Sequence, residues 1–345
     1  MVKKQILMIG LTPPLEGGSE RHIYEISSIL QCTILTQKNS ICKKKIEIPI
    51  FKKIPIIKNL SFALLSFVYA FYLLASKKRF DTIHIHENLL YFLAPILKIR
   101  YRIIITVHGI KGFRFYDNKL LWVFFRYALK NADKIIAVSL DDKAILNKIF
   151  KDVSYIPNGV DLSLYKKIKE KTEKKIVFIG RIHEQKGIMY LLNAFNEFNK
   201  NNLEFKLEII GEINDYAKNL MSEFNNSNII WKGYLIDRAE IIKSLKSAYC
   251  IVLPSLWEGL PLTLFESLAS ARPVIISDIP AFKSVIKDEA LFFRTKDSRD
   301  LAEKLNKLIE NKEFAKKLGE KGSKLANLYS WKAIAKKTKE IYDKT

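Results

Sequence analysis

Two carboxylates, Glu258 and Glu266, stand eight positions apart in PSLWEGLPLTLFES, residues 254–267. The apolar run CIVLPS (250–255) precedes them as a strand, LTLFESLASA follows as a helix, and Pro261 lies between. Carboxylates at such a strand end can grip hydroxyls, each charged hydrogen bond contributing ~1.5–3 kcal/mol. Glu266, in the first helical turn, suits both hydroxyls of a ribose. Glu258, in the loop, suits those of a sugar. The N–H groups near Leu262 and Thr263 have no intrahelical acceptor, so they are available to a phosphate between the two. Thr263 and Glu266 also fit a capping box, Thr-x-x-Glu, which explains Glu266 without a ligand but leaves Glu258 unexplained.

A second pair is cationic. GRIHEQKG, residues 180–187, follows the run KIVFIG (175–180) and opens the helical pattern GIMYLLNAFNEF. Arg181 and Lys186 bracket that strand-to-helix turn. A guanidinium fork and an ammonium point charge suit a diphosphate there. In a basic protein two solvated cations are the plainer reading, and the strand-end position is what favours the diphosphate.

The first half carries weaker signals of the same kind. TPPLEGGSERH, residues 12–22, follows the first strand; Gly17 and Gly18 allow close backbone approach to an anion at a helix N-terminus. The spacing is not G-x-G-x-x-G, which argues against a dinucleotide fingerprint. His108 ends the strand RIIITVHG (102–109), where an imidazole can donate to phosphate or sugar hydroxyls. His84 and His86 in IHIHE share a strand face, but no third ligand is spaced to complete a metal site.

These residues need a scaffold that places strand ends together. Short β-branched runs alternate with helix-length segments throughout: 5–11, 33–37, 47–51, 82–86, 102–109 and 134–139 in the first half, then 175–180, 206–211, 228–233, 250–255, 273–277 and 290–294. Continuous apolar strands are buried on both faces, as in parallel sheets covered by helices. The alternation, repeated twice, predicts two doubly wound α/β domains, which bind ligands beyond the carboxyl ends of their strands, here in a cleft between the two. The expected division is a first domain over 1–160, a linker over 161–175, a second domain over 176–328 and a C-terminal helix over 329–345. In that helix Trp331, Ile334 and Ile341 are the apolar contacts, and it is expected to cross back to the first domain.

Length and composition agree. The 345 residues are 48% hydrophobic and 27% charged, enough for two packed cores. Three cysteines, Cys32, Cys42 and Cys250, match no disulfide or zinc framework and suggest a reduced, cytoplasmic setting. The start MVKKQILMIGL is too short in its apolar run to read as a signal peptide. A net charge of +22 invites a polyanion partner, but arginines are few and no nucleic-acid motif is present, so an anionic membrane face is preferred to nucleic acid. LSFALLSFVYAFYLLAS, residues 60–76, is free of charge and is followed by Lys77, Lys78 and Arg79. A plain buried helix is the expectation for it and interfacial membrane contact the alternative; spanning would tear its domain apart.

Taken in order, these motifs resemble the GT-B glycosyltransferases of family 4. Glu258 and Glu266 stand at that family's E-x7-E spacing, GRIHEQKG resembles its G-R-x4-K-G loop, and EGGSE its early Gly-Gly turn; VHG, AVS (137–139) and IPNGVD are further landmarks. The resemblance runs from about residue 6 to about residue 340. It implies transfer of a sugar from a nucleotide-diphosphate sugar, a UDP-sugar by default, to a glycan or lipid-linked acceptor with retention of anomeric configuration and no metal. His108, Glu258, Arg181 and Lys186 would be catalytic. Gly17, Gly18, Arg181, Lys186, Glu258, Leu262, Thr263 and Glu266 would hold the nucleotide sugar. The implied place of work is the cytoplasm, at the inner face of the cell membrane. The rivals are a nucleotide-sugar epimerase or sugar synthase of the same fold, and a non-catalytic nucleotide-sugar or polyanion-binding protein.

Overall fold

A computed structural model describes residues 4–14, 17–50, 55–110 and 119–344. Leu15 and Glu16, inside the early glycine-rich stretch, and Phe51, at the end of the run 47–51, lie outside the described residues.

The chain forms two compact units, residues 1–158 with 331–345, and residues 159–330. The first is built on a seven-stranded parallel sheet. Its strands are β1 (Ile6–Ile9), β2 (Thr33–Gln37), β3 (Lys45–Ile48), β4 (Thr82–Ile85), β5 (Arg102–Val107), β6 (Lys134–Ala137) and β7 (Val153–Tyr155). Their spatial order is β3-β2-β1-β4-β5-β6-β7. The second unit holds a six-stranded parallel sheet of β8 (Lys175–Ile179), β9 (Lys206–Ile210), β10 (Ile229–Gly233), β11 (Cys250–Leu253), β12 (Val274–Ser277) and β13 (Leu291–Phe293), in the order β10-β9-β8-β11-β12-β13. Both sheets wind outward from a central pair and reverse direction there, at β1/β4 and at β8/β11. Ligands of doubly wound sheets bind beyond the strand ends at that reversal.

The strands pack as their apolar runs require. On β8, Ile176 and Phe178 enter one core while Val177 and Ile179 enter the other; on β11, Cys250 and Val252 are opposed in the same way by Ile251 and Leu253. A strand buried on both faces has no polar side to alternate with, which is why these segments read as continuous runs. The three cysteines are free and buried.

Three elements differ from the sequence expectation. Residues 161–175 are not plain linker: Asp161 caps a short helix, Leu162–Lys167, whose Tyr165 is buried. The C-terminal helix, Trp331–Asp343, packs in the first unit against helix Gly18–Leu30. Trp331 and Ile334 are buried there as expected, but Tyr342 rather than Ile341 fills the last turn, donating or accepting at His84 Nδ1 over 2.7 Å. Helix Pro55–Ala75 is not a plain buried helix: only 22% of its apolar window is buried. It lies on one core, which covers one stripe of a helix, and its sequence is apolar all round.

Candidate functional site

In the second unit the predicted residues gather at the β8/β11 reversal. After β8 the chain turns at Gly180, makes a short 3-10 turn over Glu184–Lys186 capped by His183, and enters helix Ile188–Asn199 through Gly187. Gly187 has φ +63°, and a Cβ there would stand 2.0 Å from the Pro254 carbonyl oxygen. Only glycine lets the loop after β8 lie this close to the loop after β11. Two further bonds lock the loops: Leu256 N–H donates to the Gln185 carbonyl at 2.8 Å, and the Gln185 amide donates to the Trp257 carbonyl at 2.9 Å.

That locking brings Lys186 to Glu258. Their side chains form an ion pair with only 12% and 7% of their surfaces exposed. Ser255 Oγ donates to the same carboxylate at 2.8 Å, and Ser277 Oγ fixes the Ser255 carbonyl at 2.5 Å. Burying two charges is costly unless they are paired and hydrogen-bonded, and here both conditions are met. Arg181 stands exposed at the mouth of the same loop and makes no ion pair among the described residues.

Glu266 has a different partner from the one its sequence context suggests. Helix Leu262–Ala269 is capped by Pro261 without a side-chain hydrogen bond, so Thr263 is already inside the first turn and the capping box does not form. The Glu266 carboxylate is buried and accepts from Arg238 Nη2 at 2.7 Å. Arg238 begins helix Arg238–Ser247, which Asp237 caps. Leu262 and Thr263 present first-turn N–H groups that the helix itself leaves without acceptors. Glu258 thus precedes the helix N-terminus, while Glu266 lies in the second turn rather than the first as expected, because the helix begins only at Leu262; Lys186 and Arg181 lie in the loop after the neighbouring strand.

Gly17, Gly18 and His108 lie in the first unit. Gly17 caps helix Gly18–Leu30, and both glycines are exposed. His108 follows β5 and joins His22, His84 and His86 in one cluster. His22 lies 5.0 Å from His108 and 5.7 Å from His86 between ring centroids, and His84 lies 4.0 Å from His86. Burial, and then mutual repulsion, holds His84, His86 and His108 well below the ordinary imidazole value. Burial lowers His22 to about 4, against a bond of 3.0 Å to Asn158 that raises it. The rings are therefore neutral near pH 7. Beside them burial, reinforced by Glu20, raises Glu87 to about 8. The pair His84 and His86 does not read as a metal site here, because both ring nitrogens of His84 are engaged, one by Tyr342 and the other by Thr106 Oγ1 at 2.7 Å.

Sequence reasoning missed Arg238, Ser255 and His22. Ser255 had a signal, since it closes the run CIVLPS three residues before Glu258. Arg238 and His22 had none, as each meets its partner only through the tertiary fold.

Comparison with known proteins identifies the family and the fold. The model of the glycosyl transferases group 1 matches residues 163–325, and that of glycosyltransferase family 4 matches residues 16–164. The chain is 30% identical over 246 residues to the UDP-Gal:α-D-GlcNAc-diphosphoundecaprenol α-1,3-galactosyltransferase of Escherichia coli, covering 63% of each. Sucrose-phosphate synthase from Thermosynechococcus elongatus superimposes with a TM-score of 0.82 at 21% identity, over 99% of this chain and 98% of that one. Anabaena HepE, solved with UDP and glucose, gives 0.80 at 13% identity over 99% and 100%. Two reversed parallel sheets, matched in turn by these two family models, make this chain a GT-B glycosyltransferase of the group 1, family 4 type.

Proposed function

We propose that the enzyme transfers a sugar from a UDP-sugar to a lipid-linked acceptor at an anionic membrane face, with retention of anomeric configuration and without a metal. The observation that carries the donor part is the buried Lys186–Glu258 pair at the β8/β11 reversal, with Arg181 exposed earlier in the same loop. A cation beside a carboxylate supports this reading, since the first suits the phosphate and the second the hydroxyls at the two ends of a sugar–phosphate bond. Lys186 and Arg181 neutralise the diphosphate, helped by the N–H groups of Leu262 and Thr263. Glu258 takes the sugar hydroxyls. Glu266, aimed by Arg238, takes those of the ribose.

Breaking the sugar–phosphate bond builds negative charge on the departing diphosphate and positive charge on the ring. Cations fixed by the fold favour that separation in the transition state. No carboxylate is placed as a nucleophile in this assignment, so the acceptor attacks from the face the diphosphate leaves, and the leaving phosphate takes the acceptor proton. For Gly17, Gly18 and His108 of the first unit, contact with acceptor and donor is part of the same proposal. The UDP-sugar and the diphosphate-lipid acceptor are supported by the activity of the Escherichia coli relative, a galactosyltransferase acting on a diphosphoundecaprenol-linked sugar.

The test is a thermal-shift screen of nucleoside diphosphates and their sugars, followed by NMR of the product's anomeric proton. A ligand at a hundredfold its Kd stabilises the fold by about 2.7 kcal/mol. Inversion, or a trapped covalent glycosyl-enzyme, would overturn the front-face reading.

A further inference from the structure

Helix Pro55–Ala75 carries two apolar faces, and among the described residues one of them packs on the core while the other is largely exposed. Phe62, Ala63, Ala70 and Leu73 enter the core of the first unit. On the other side Ile57, Leu60, Leu64, Val68, Phe71 and Tyr72 are 44–67% exposed. Their three- and four-residue spacing draws a stripe along the helix. Helix Lys119–Lys130 repeats the arrangement: Phe125, Ala128 and Leu129 are buried, while Val123, Phe124 and Tyr127 are 51–59% exposed. Both helices pack on the same short segments, Asn88–Leu93 and Ala94–Leu97, so the two stripes belong to one region. Ile99, just past those segments, is 79% exposed.

The charges of this region have one sign. Residues 55–79, 88–100 and 119–130 contain no Asp or Glu. They contain Lys58, Lys77, Lys78, Arg79, Arg126 and Lys130 among their cations. Apart from Lys98, which pairs with Asp133 at 3.4 Å, the described cations of these segments make no ion pair among the described residues.

We propose that this two-helix face docks on an anionic lipid bilayer. Both stripes lie in the interfacial plane, and the cations meet lipid phosphates. The inference rests on the membrane-side acceptor proposed above and names the surface that reaches it. Charge selects the occupant: a second copy would oppose cations to cations across the contact, whereas anionic headgroups complement them. Spanning is disfavoured by the buried stripe, since Phe62 and Leu73 would have to leave the core.

Flotation of the whole chain with vesicles of equimolar phosphatidylglycerol and phosphatidylcholine at low salt is the test. Wild type is expected to float. Leu64→Glu with Phe71→Glu, and separately Val123→Glu with Phe124→Glu, are each expected to cut the bound fraction about tenfold or more. Their unfolding temperatures should stay at the wild-type value, because these side chains are exposed. Replacing Lys77, Lys78 and Arg79 by Gln should weaken binding about tenfold or more on these vesicles and leave it unaltered on pure phosphatidylcholine. Wild type remaining unbound overturns the proposal, as does wild-type flotation of both glutamate pairs. A stable dimer in sedimentation that Leu64→Glu with Phe71→Glu splits would also overturn it. No donor enters the assay. Flotation lost with nucleotide binding kept removes the docking surface alone; nucleotide binding absent with flotation kept removes the donor reading alone.

Discussion

The strand ends of the two units solve the same packing problem with opposite chemistry. Both sheets reverse direction at their centre and turn those ends toward loops and helix N-termini. In the second unit the reversal holds full charges: Lys186 against Glu258, and Arg238 against Glu266. In the first unit the corresponding ends hold four imidazoles kept neutral by burial, beside a glutamate, Glu87, that burial pushes up to about 8. In the proposed mechanism a leaving diphosphate needs fixed charge, and Lys186 and Arg181 of the second unit would supply it. The first unit offers imidazole donors and acceptors without net charge. One scaffold thus supports electrostatic catalysis or neutral hydrogen bonding, according to whether its buried ionisable groups are paired with opposite charges or crowded with like ones.

The contrast can be broken most sharply at Glu258. Glu258→Ala should slow transfer about 10²–10³-fold while nucleotide binding changes little, since it removes a contact to the reacting sugar. Rapid-quench assays beside calorimetric binding would separate the two effects. Lys186→Ala comes next. It leaves Glu258 as an uncompensated buried charge, which should cost ~3 kcal/mol of stability in urea unfolding. The double variant with Glu258→Gln should recover most of that loss, and no recovery would mean the pair is not the source.

Glu266→Ala should weaken nucleotide binding by ~1.5–3 kcal/mol, the worth of its charged hydrogen bonds to ribose. Arg238→Ala keeps the carboxylate but frees it, so a smaller loss of a few-fold in Kd is expected by calorimetry. Equal losses in the two variants would make Arg238 a binding residue in its own right.

The smallest effect is expected in the first unit, and it depends on pH. His22 binds a proton near its ordinary value of 6.5 when unfolded but only near 4 when folded. The unfolded chain therefore takes up more protons in that window, and stability falls as pH drops from 6.5 toward 4. Glu87 works the other way: raised to about 8, it holds its proton better in the folded state and loses stability as pH rises from 4.5 to 8. Glu87 opposes His22, whereas His84, His86 and His108, also held below the ordinary value, add to the acid loss. His22→Gln should flatten it in thermal melts recorded across that range, and an unchanged slope would exclude His22 as a source.

Much of this was legible from residue types alone, for identifiable reasons. Parallel strands buried on both faces must be continuous apolar runs, so the β8 and β11 segments announced themselves, and with them the loops holding Arg181, Lys186 and Glu258. Glu266 was legible as a residue but not by its partner. Thr-x-x-Glu fits a capping box locally, yet Pro261 takes the cap position and Arg238, 28 residues earlier, takes the carboxylate. No local periodicity encodes such a contact. The same holds for His22, which reaches His86 and His108 only when helix Gly18–Leu30 folds onto the sheet. Helix Pro55–Ala75 failed in the opposite way: an all-apolar helix has the same sequence whether buried or half-exposed, and only its neighbours decide.

The central claim is that the β8/β11 reversal of the second unit binds the donor nucleotide, Lys186 at its diphosphate and Glu266 at its ribose. Calorimetric titration of UDP into wild type, Lys186→Ala and Glu266→Ala, with EDTA present throughout, tests it most directly. Metal-independent binding, weakened about tenfold or more in each variant, is the expected result. Equal affinity in all three proteins, or binding that vanishes with EDTA, would contradict it.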